Sequence, residues 1–194
     1  MTPRVLAFAG SLRTASWNRK LVAVAAADAR SAGSEVTLID LKDYGLPVFD
    51  EDLERAEGLP ANARRLKDLF VAHDALLVAC PEYNGSITGV LKNALDWVSR
   101  QDGAESGLVP YADKVVGLLS ASPGNLGALR ALEATRGILM QLGCLVLPKR
   151  HALARAHEAF DPDGGLKDAA QATAVRGVAA EVVRVVRKLK ATDA

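Results

Sequence analysis

The sequence predicts a doubly wound α/β fold: a five-stranded parallel sheet in the order 2-1-3-4-5 with helices on both faces. Three observations carry this. Short apolar runs, too brief for helices, alternate with longer stretches of helical spacing, five of each, which is what a parallel sheet with right-handed crossovers demands. Two of those runs, Arg4 to Gly10 and Ala75 to Cys80, are almost continuously apolar, the pattern of strands covered on both faces. Three of the runs end in loops rich in glycine, hydroxyls and amides, at the end of the sheet where open α/β folds bind ligands.

Each element has a local reason. Arg4 to Gly10 is the first strand, and Ser11-Leu-Arg-Thr-Ala-Ser16 leads into an alanine-rich helix over Trp17 to Ser31. Glu35 to Asp40 alternates and reads as the second strand. Leu41 to Pro60 reads as irregular, with two prolines and several acids, and a connection of that length is expected to be functional or interfacial. Ala61 to Ala72 returns to helical spacing through Leu66, Leu69 and Phe70. The strand Ala75 to Cys80 and the loop Pro81 to Ile87 precede a helix over Thr88 to Ser99. The fourth strand, Lys114 to Ser120, ends in the small-residue loop Ala121 to Gly127. A helix over Ala128 to Leu142, a strand at Cys144 to Leu147, a connection through His151, a turn at Asp161 to Gly165 and a last helix to about Lys190 complete the order.

At 194 residues the chain is expected to form a single domain spanning 1-194. No apolar span reaches the ~18 residues of a membrane helix, and the N-terminus lacks the order of a secretory signal, so a soluble, cytoplasmic protein is expected. With 24 basic and 23 acidic residues, the net charge of +1 gives no pull toward nucleic acid or membrane. Cys80 and Cys144 lie at apolar strand ends and read as reduced, buried thiols. His73, His151 and His157 have no metal-ligand spacing, and no metal site is expected.

Two loops carry the chemistry. Gly10 to Asn18 offers a helix N-terminus, hydroxyls and one guanidinium to an anion, without the Gly-Lys-Ser/Thr ending of a nucleotide loop or the spaced glycines of a dinucleotide fingerprint. The competing reading is that Ser11 or Ser16 merely caps the helix while Arg13 stays in solvent. Pro81 to Gly85 can give backbone donors and an aromatic face to a planar heteroaromatic ring, Tyr83 supplying the face and Asn84 an amide. Its competing reading is a helix start capped by Thr88 or Ser86, with Tyr83 as packing.

Gly-Ser-Leu-Arg-Thr-Ala-Ser-Trp-Asn-Arg-Lys-Leu (Gly10 to Leu21) and Pro-Glu-Tyr-Asn-Gly-Ser-Ile-Thr-Gly-Val-Leu-Lys-Asn-Ala-Leu-Asp-Trp (Pro81 to Trp97) together resemble the NADPH-dependent FMN reductase family, whose members include chromate, quinone and azo-dye reductases of flavodoxin-like fold. The resemblance takes in Leu46 to Leu53, runs from the first strand to the fifth and thins after about residue 150. It implies that FMN is the cofactor, its phosphate held by Ser11, Arg13, Ser16 and Asn18 with Trp17 beside them. It implies an isoalloxazine ring against Pro81, Glu82, Tyr83, Asn84 and Gly85, largely through main-chain groups, with Ser120 and Ser122 nearby.

The implied activity is ping-pong hydride transfer from NADPH, or NADH, through FMN to a small-molecule acceptor: a quinone, chromate, an azo compound or free flavin. No residue is implied as a catalytic nucleophile, acid or base. Homodimers or homotetramers are implied; the sequence itself offers Trp97 and the acidic Asp50 to Glu57 as interface material, and Arg100 for an anionic second substrate or the nicotinamide phosphate across a subunit boundary. One departure stands out: Ala128 occupies the second place of a glycine pair common in the family. A non-enzymatic flavodoxin-like FMN carrier and a flavin-free regulatory protein are the rival readings.

Overall fold

The computed structural model describes residues 1–192. Strand β1 (Arg4–Ala9) is buried at every position but its first. Helix α1 (Trp17–Ser31) starts behind Ser16, whose hydroxyl accepts from Arg19 N. Next come β2 (Glu35–Leu38), a 3-10 turn at Leu41–Asp43, α2 (Glu51–Glu57), α3 (Ala61–Ala72) and β3 (Ala75–Ala79). A hairpin of β4 (Glu82–Tyr83) and β5 (Ser86–Ile87) precedes α4 (Gly89–Val98). The chain continues through β6 (Val115–Ala121), α5 (Leu129–Gln141), β7 (Leu145–Val146), β8 (His151–Leu153), α6 (Ala156–Ala159) and α7 (Ala169–Thr192).

The main sheet runs β2-β1-β3-β6-β7, all parallel, with β8 also paired to β6. In its own strand numbering this is the expected 2-1-3-4-5 order, with one difference: the fifth strand is in two pieces. Leu145 pairs with Val115 and His151 with Leu119, so the edge strand uses two more residues than its neighbour over the same rise. The excess loops out around Pro148, which has no N–H to give the ladder.

Strand residues alternate between two cores. Val5, Ala7 and Ala9 face α1 and α7 in a layer of alanine and valine, while Leu6 and Phe8 face α3, α4 and α5. The second layer is bulkier, with Phe70 lying 5.5 Å from both Phe8 and Tyr111. Small residues on one side let α1 and α7 approach closely; aromatics fill the wider gap on the other.

The stretch Leu41 to Pro60 is not irregular as its prolines suggested. Asp50 caps α2 by accepting from Asp52 N, and none of the helix is buried. The loop before it is pinned to α4: Trp97 Nε1 and Asn93 Nδ2 both donate to Pro47 O at 2.8 Å, and the Phe49 ring meets Trp97 edge-on at 5.0 Å. Trp97 is therefore fully buried within its own chain and is not interface material. Arg100 is committed as well, its Nε donating to Glu54 at 2.8 Å while its guanidinium covers Phe49. It does not stand free for an anionic substrate.

Candidate functional site

The three loops foreseen from the sequence meet at the carboxyl ends of β1, β3 and β6, which are adjacent in the sheet. They enclose a crevice of about 70 Å³, lined by Ser11, Arg13, Ser16, Trp17 and Asn18 from the first loop. Pro81, Glu82 and Tyr83 line it from the second loop, and Ala121, Ser122 and Pro123 from the third. A hollow of about 330 Å³ adjoins it, sharing Ser11, Arg13 and Tyr83 and floored by Leu12 and Val90. All but three of the residues singled out from the sequence thus line one crevice. Asn84 and Gly85 form the hairpin tip instead, and Ser120 lies beneath the crevice, fully buried.

The first loop is built around a close approach. A Cβ on Gly10 would lie 2.8 Å from Leu91 Cβ, so only glycine lets α4 pack against the end of β1. Thr88 then joins the two loops: its hydroxyl donates to Gly10 O at 2.7 Å and accepts from Leu91 N, capping α4. Ser16 caps α1 and also lines the crevice, so capping and site membership are not alternatives there. Asn18 binds the main chain of Ala121 twice, donating to its carbonyl at 2.8 Å and accepting from its N–H at 3.0 Å. Its amide fastens the first loop to the third, with one hydrogen and one lone pair to spare.

The second loop is a two-residue hairpin. Asn84 at φ 53° and Gly85 at φ 80° occupy a turn between paired Tyr83 and Ser86, the arrangement that Asn-Gly favours because both turn residues need positive φ. That dipeptide was the readable signal for a hairpin, and reading the loop only for ligand contacts passed over it. The Glu82 carboxylate is taken up by the start of α5, where it accepts from Arg130 N and Ala131 N. In the third loop, Ser120 donates to Gly127 O at 2.6 Å and so shapes the loop from below. Pro123, Thr88 and Arg130 were not singled out as site residues, since nothing local in the sequence marks a wall, a tie or a distant ion-pair partner.

Charge separates the arginines near the crevice. Arg19 is paired with Asp40 at 2.7 Å, Arg130 with Glu82 at 3.2 Å and Arg155 with Glu158. Among the described residues Arg13 has no carboxylate within ion-pair distance; its guanidinium lies 5.5 Å from the centre of the Trp17 ring. One unneutralised cation beside two buried hydroxyls, Ser11 and Ser16, is a donor set suited to a phosphate monoester. Two larger hollows exist, one of about 570 Å³ by Asp40, Tyr44 and Arg65 that shares only Ser16 with the crevice, and one of about 580 Å³ at the amino end of the sheet. Neither gathers three strand-end loops, so volume alone does not mark the site.

The other reactive side chains lie apart from this chemistry. Cys80 and Cys144 are free and buried, and desolvation pushes each thiol up to about 12, far from a nucleophilic thiolate at neutral pH. His73 is buried between Leu69 O and the Thr37 hydroxyl. Burial lowers the pKa of His151, in β8, whose Nε2 is buried without a hydrogen-bond partner among the described residues.

The sequence profile of the NADPH-dependent FMN reductases matches residues 3–158, the span that carries all three loops. The chain belongs to that family. An NAD(P)H-dependent FMN reductase of Pseudomonas aeruginosa is 37% identical over 166 residues, 85% of each chain. A quinone reductase of Pseudomonas putida is 35% identical over 161 residues, 82% of each. Among solved structures, the flavoenzyme NAD(P)H:(acceptor) oxidoreductase FerB of Paracoccus denitrificans superposes with a TM-score of 0.82 at 31% identity, covering 96% of this chain and 98% of its own. As a member of the FMN reductases the chain is a flavin-dependent oxidoreductase that draws on NAD(P)H. The profile ends inside α6, so α7 belongs to the fold without belonging to the shared motif region.

Proposed function

We propose that the chain, acting as a single domain, holds FMN in the crevice at the ends of β1, β3 and β6 and reduces small-molecule acceptors, quinones foremost, at the expense of NADPH or NADH. The observation that carries this reading is the convergence of an unpaired Arg13, two buried hydroxyls and the Pro81–Tyr83 main chain on one crevice. Arg13, Ser11 and Ser16 bind the phosphate, while Pro81, Glu82 and Tyr83 offer main-chain groups and an aromatic face to the ring. Bound there, FMN would supply the hydride chemistry that links nicotinamide to acceptor, with both substrates using one site in ping-pong order. The protein's part is to bind, orient and exclude water; no side chain in the crevice is placed as a strong acid, base or nucleophile.

Leu12, Tyr83 and Leu126 stand about half exposed on the loops that form the crevice, which supports a second copy of the chain covering its rim in a homodimer or a pair of dimers. Two reduced, buried thiols and the use of NAD(P)H support a cytoplasmic site of action.

The test is an absorbance spectrum of the purified protein, with FMN added if needed, followed by NADPH without air. A flavin spectrum bleached by NADPH and restored by a quinone is the expected result. Protein that takes up no FMN would sink the reading; protein that binds FMN but is not bleached would be a carrier. Parallel lines of reciprocal rate against reciprocal NADPH concentration, at several quinone levels, check the ping-pong order, and intersecting lines would reject it.

A further inference from the structure

Helix α5 begins without a cap of its own. The residue before it, Ala128, has a left-handed backbone at φ 67° and no side chain able to accept from the first turn. Four N–H groups at a helix start need acceptors, and a helix that feeds a ligand loop cannot leave them to chance. The acceptor arrives from an element 48 residues earlier in the chain. Glu82 Oε2 accepts from Arg130 N at 3.0 Å and Ala131 N at 3.3 Å, and Oε1 accepts from Arg130 Nη1 at 3.2 Å.

The same Glu82 belongs to the hairpin, and its neighbours Pro81 and Tyr83 line the crevice with it. A hairpin of two residues per strand does not hold itself in place in water. It is not part of the main sheet; both of its strands lie against α5, Ile87 packs on the core beneath, and a Cβ built on Gly85 would lie 3.8 Å from Arg130 Cδ. The Glu82 carboxylate, 15% exposed, adds to that packing the hydrogen-bonded tie between the second loop and the helix that ends the third. It also arrives neutralised, by Arg130 and by the positive end of α5, so that it adds little negative field at the crevice.

We propose that Glu82 is the positioning residue of the site: by capping α5 from outside, its carboxylate sets where the Pro81–Tyr83 main chain meets the flavin ring. This rests on the reading that the crevice holds FMN. It assigns the carboxylate a role apart from cofactor contact, and it makes Arg130 its partner.

The experiment compares wild type with Glu82→Ala, Glu82→Gln and Arg130→Ala, using FMN titration followed by flavin fluorescence and amide hydrogen exchange across residues 82–87 of the FMN-free protein. Loss of one cap is expected to weaken FMN binding about tenfold in Glu82→Ala and to speed exchange in the hairpin to a similar degree. Glu82→Gln keeps an oxygen for both main-chain N–H groups and is expected within about threefold of wild type on both readouts, a rescue that general loss of packing would not show. Arg130→Ala keeps the cap and loses only an exposed ion pair, with an expected weakening of about twofold to fivefold.

Should Glu82→Ala fail to fold, Glu82→Gln and Arg130→Ala decide, both being expected to bind. Wild-type FMN affinity and unchanged hairpin exchange in Glu82→Ala would overturn the assignment, and so would a Gln variant as weak as the Ala variant. If wild type itself takes up no FMN, the flavin reading falls, while hairpin exchange still reports whether the carboxylate ties the two loops.

Discussion

The two ends of the parallel sheet use similar polar residues in opposite ways. At the amino end, Asp74 accepts from Arg4 N and from Lys190 Nζ, each at 2.7 Å, and Lys114 is buried with its Nζ donating to His73 O at 2.6 Å. Burial pushes the Asp74 carboxyl up, but the Lys190 hydrogen bond and the Arg4 contacts outweigh it and hold the pKa below the usual value. At the carboxyl end, Arg13 has no such partner among the described residues, and Asn84, Gly85, Gly127 and Ala128 all take positive φ to turn the chain around a crevice. The amino end has a hollow of about 580 Å³, yet Asp74, Lys114 and Lys190 on its wall are each hydrogen-bonded to protein groups. A site is thus marked by polar groups left unpaired around a cleft, while paired ones hold the fold together.

Substitutions at the two ends should separate stability from binding. The largest effect is expected at Gly127, where φ is 59° and an added Cβ would lie 2.7 Å from the Ala152 carbonyl carbon. Gly127→Ala is expected to destabilise by about 3 kcal/mol or more and to impair FMN uptake, because the third loop must move off β8. Thermal denaturation with and without FMN checks this; a melting temperature equal to wild type would show that the contact is relieved at no cost.

At the other end, Asp74→Asn should lower stability by about 2 kcal/mol at neutral pH while leaving FMN affinity alone. The sign with pH follows from the depressed pKa. Asp74 stabilises the fold above the unfolded carboxylate pKa of about 3.9, and that contribution is lost as pH falls through the lower folded value. The difference between Asp74→Asn and wild type should therefore shrink in urea melts below about pH 4, and a difference constant to pH 2 would refute the assignment.

Arg13→Ala tests the converse. An exposed guanidinium with no ion pair contributes little to folding, but a charge-assisted contact to phosphate is worth roughly tenfold in affinity, about 1.4 kcal/mol. FMN titration should show that loss at an unchanged melting temperature, and equal affinity would remove Arg13 from the site. The smallest effect is expected for Ala128→Gly. Relief of the left-handed backbone and loss of a buried methyl nearly cancel, so stability should move by no more than about 0.5 kcal/mol in urea titration, whereas an ordinary buried Ala→Gly change costs about 1 kcal/mol.

Much of this was legible beforehand, for identifiable reasons. Apolar period and turn composition are local properties, so the order of strands and helices from Arg4 to about Leu142 could be read off the chain. The pairing of Gly10 to Asn18 with Pro81 to Gly85 followed from the fold class, since neighbouring parallel strands bring their trailing loops together. The hairpin at Asn84-Gly85 was equally local and was passed over, as was α2, whose Asp50 cap lies in a stretch that its prolines made look irregular. The broken fifth strand had a visible marker in Pro148, but where pairing resumes depends on β6.

Local patterning was enough to specify a doubly wound α/β fold with three polar loops at the carboxyl end of its sheet, because such patterns are written in residues a few places apart. What those loops do to one another was settled only by their meeting in space. The Asn18 clamp on Ala121 spans 103 residues, the Trp97 bond to Pro47 spans 50 and the Glu82 cap on α5 spans 48. Side chains so far apart carry no mutual signal along the chain. Which polar group is tied and which remains open to a ligand is settled only when the sheet brings them within a hydrogen bond of each other.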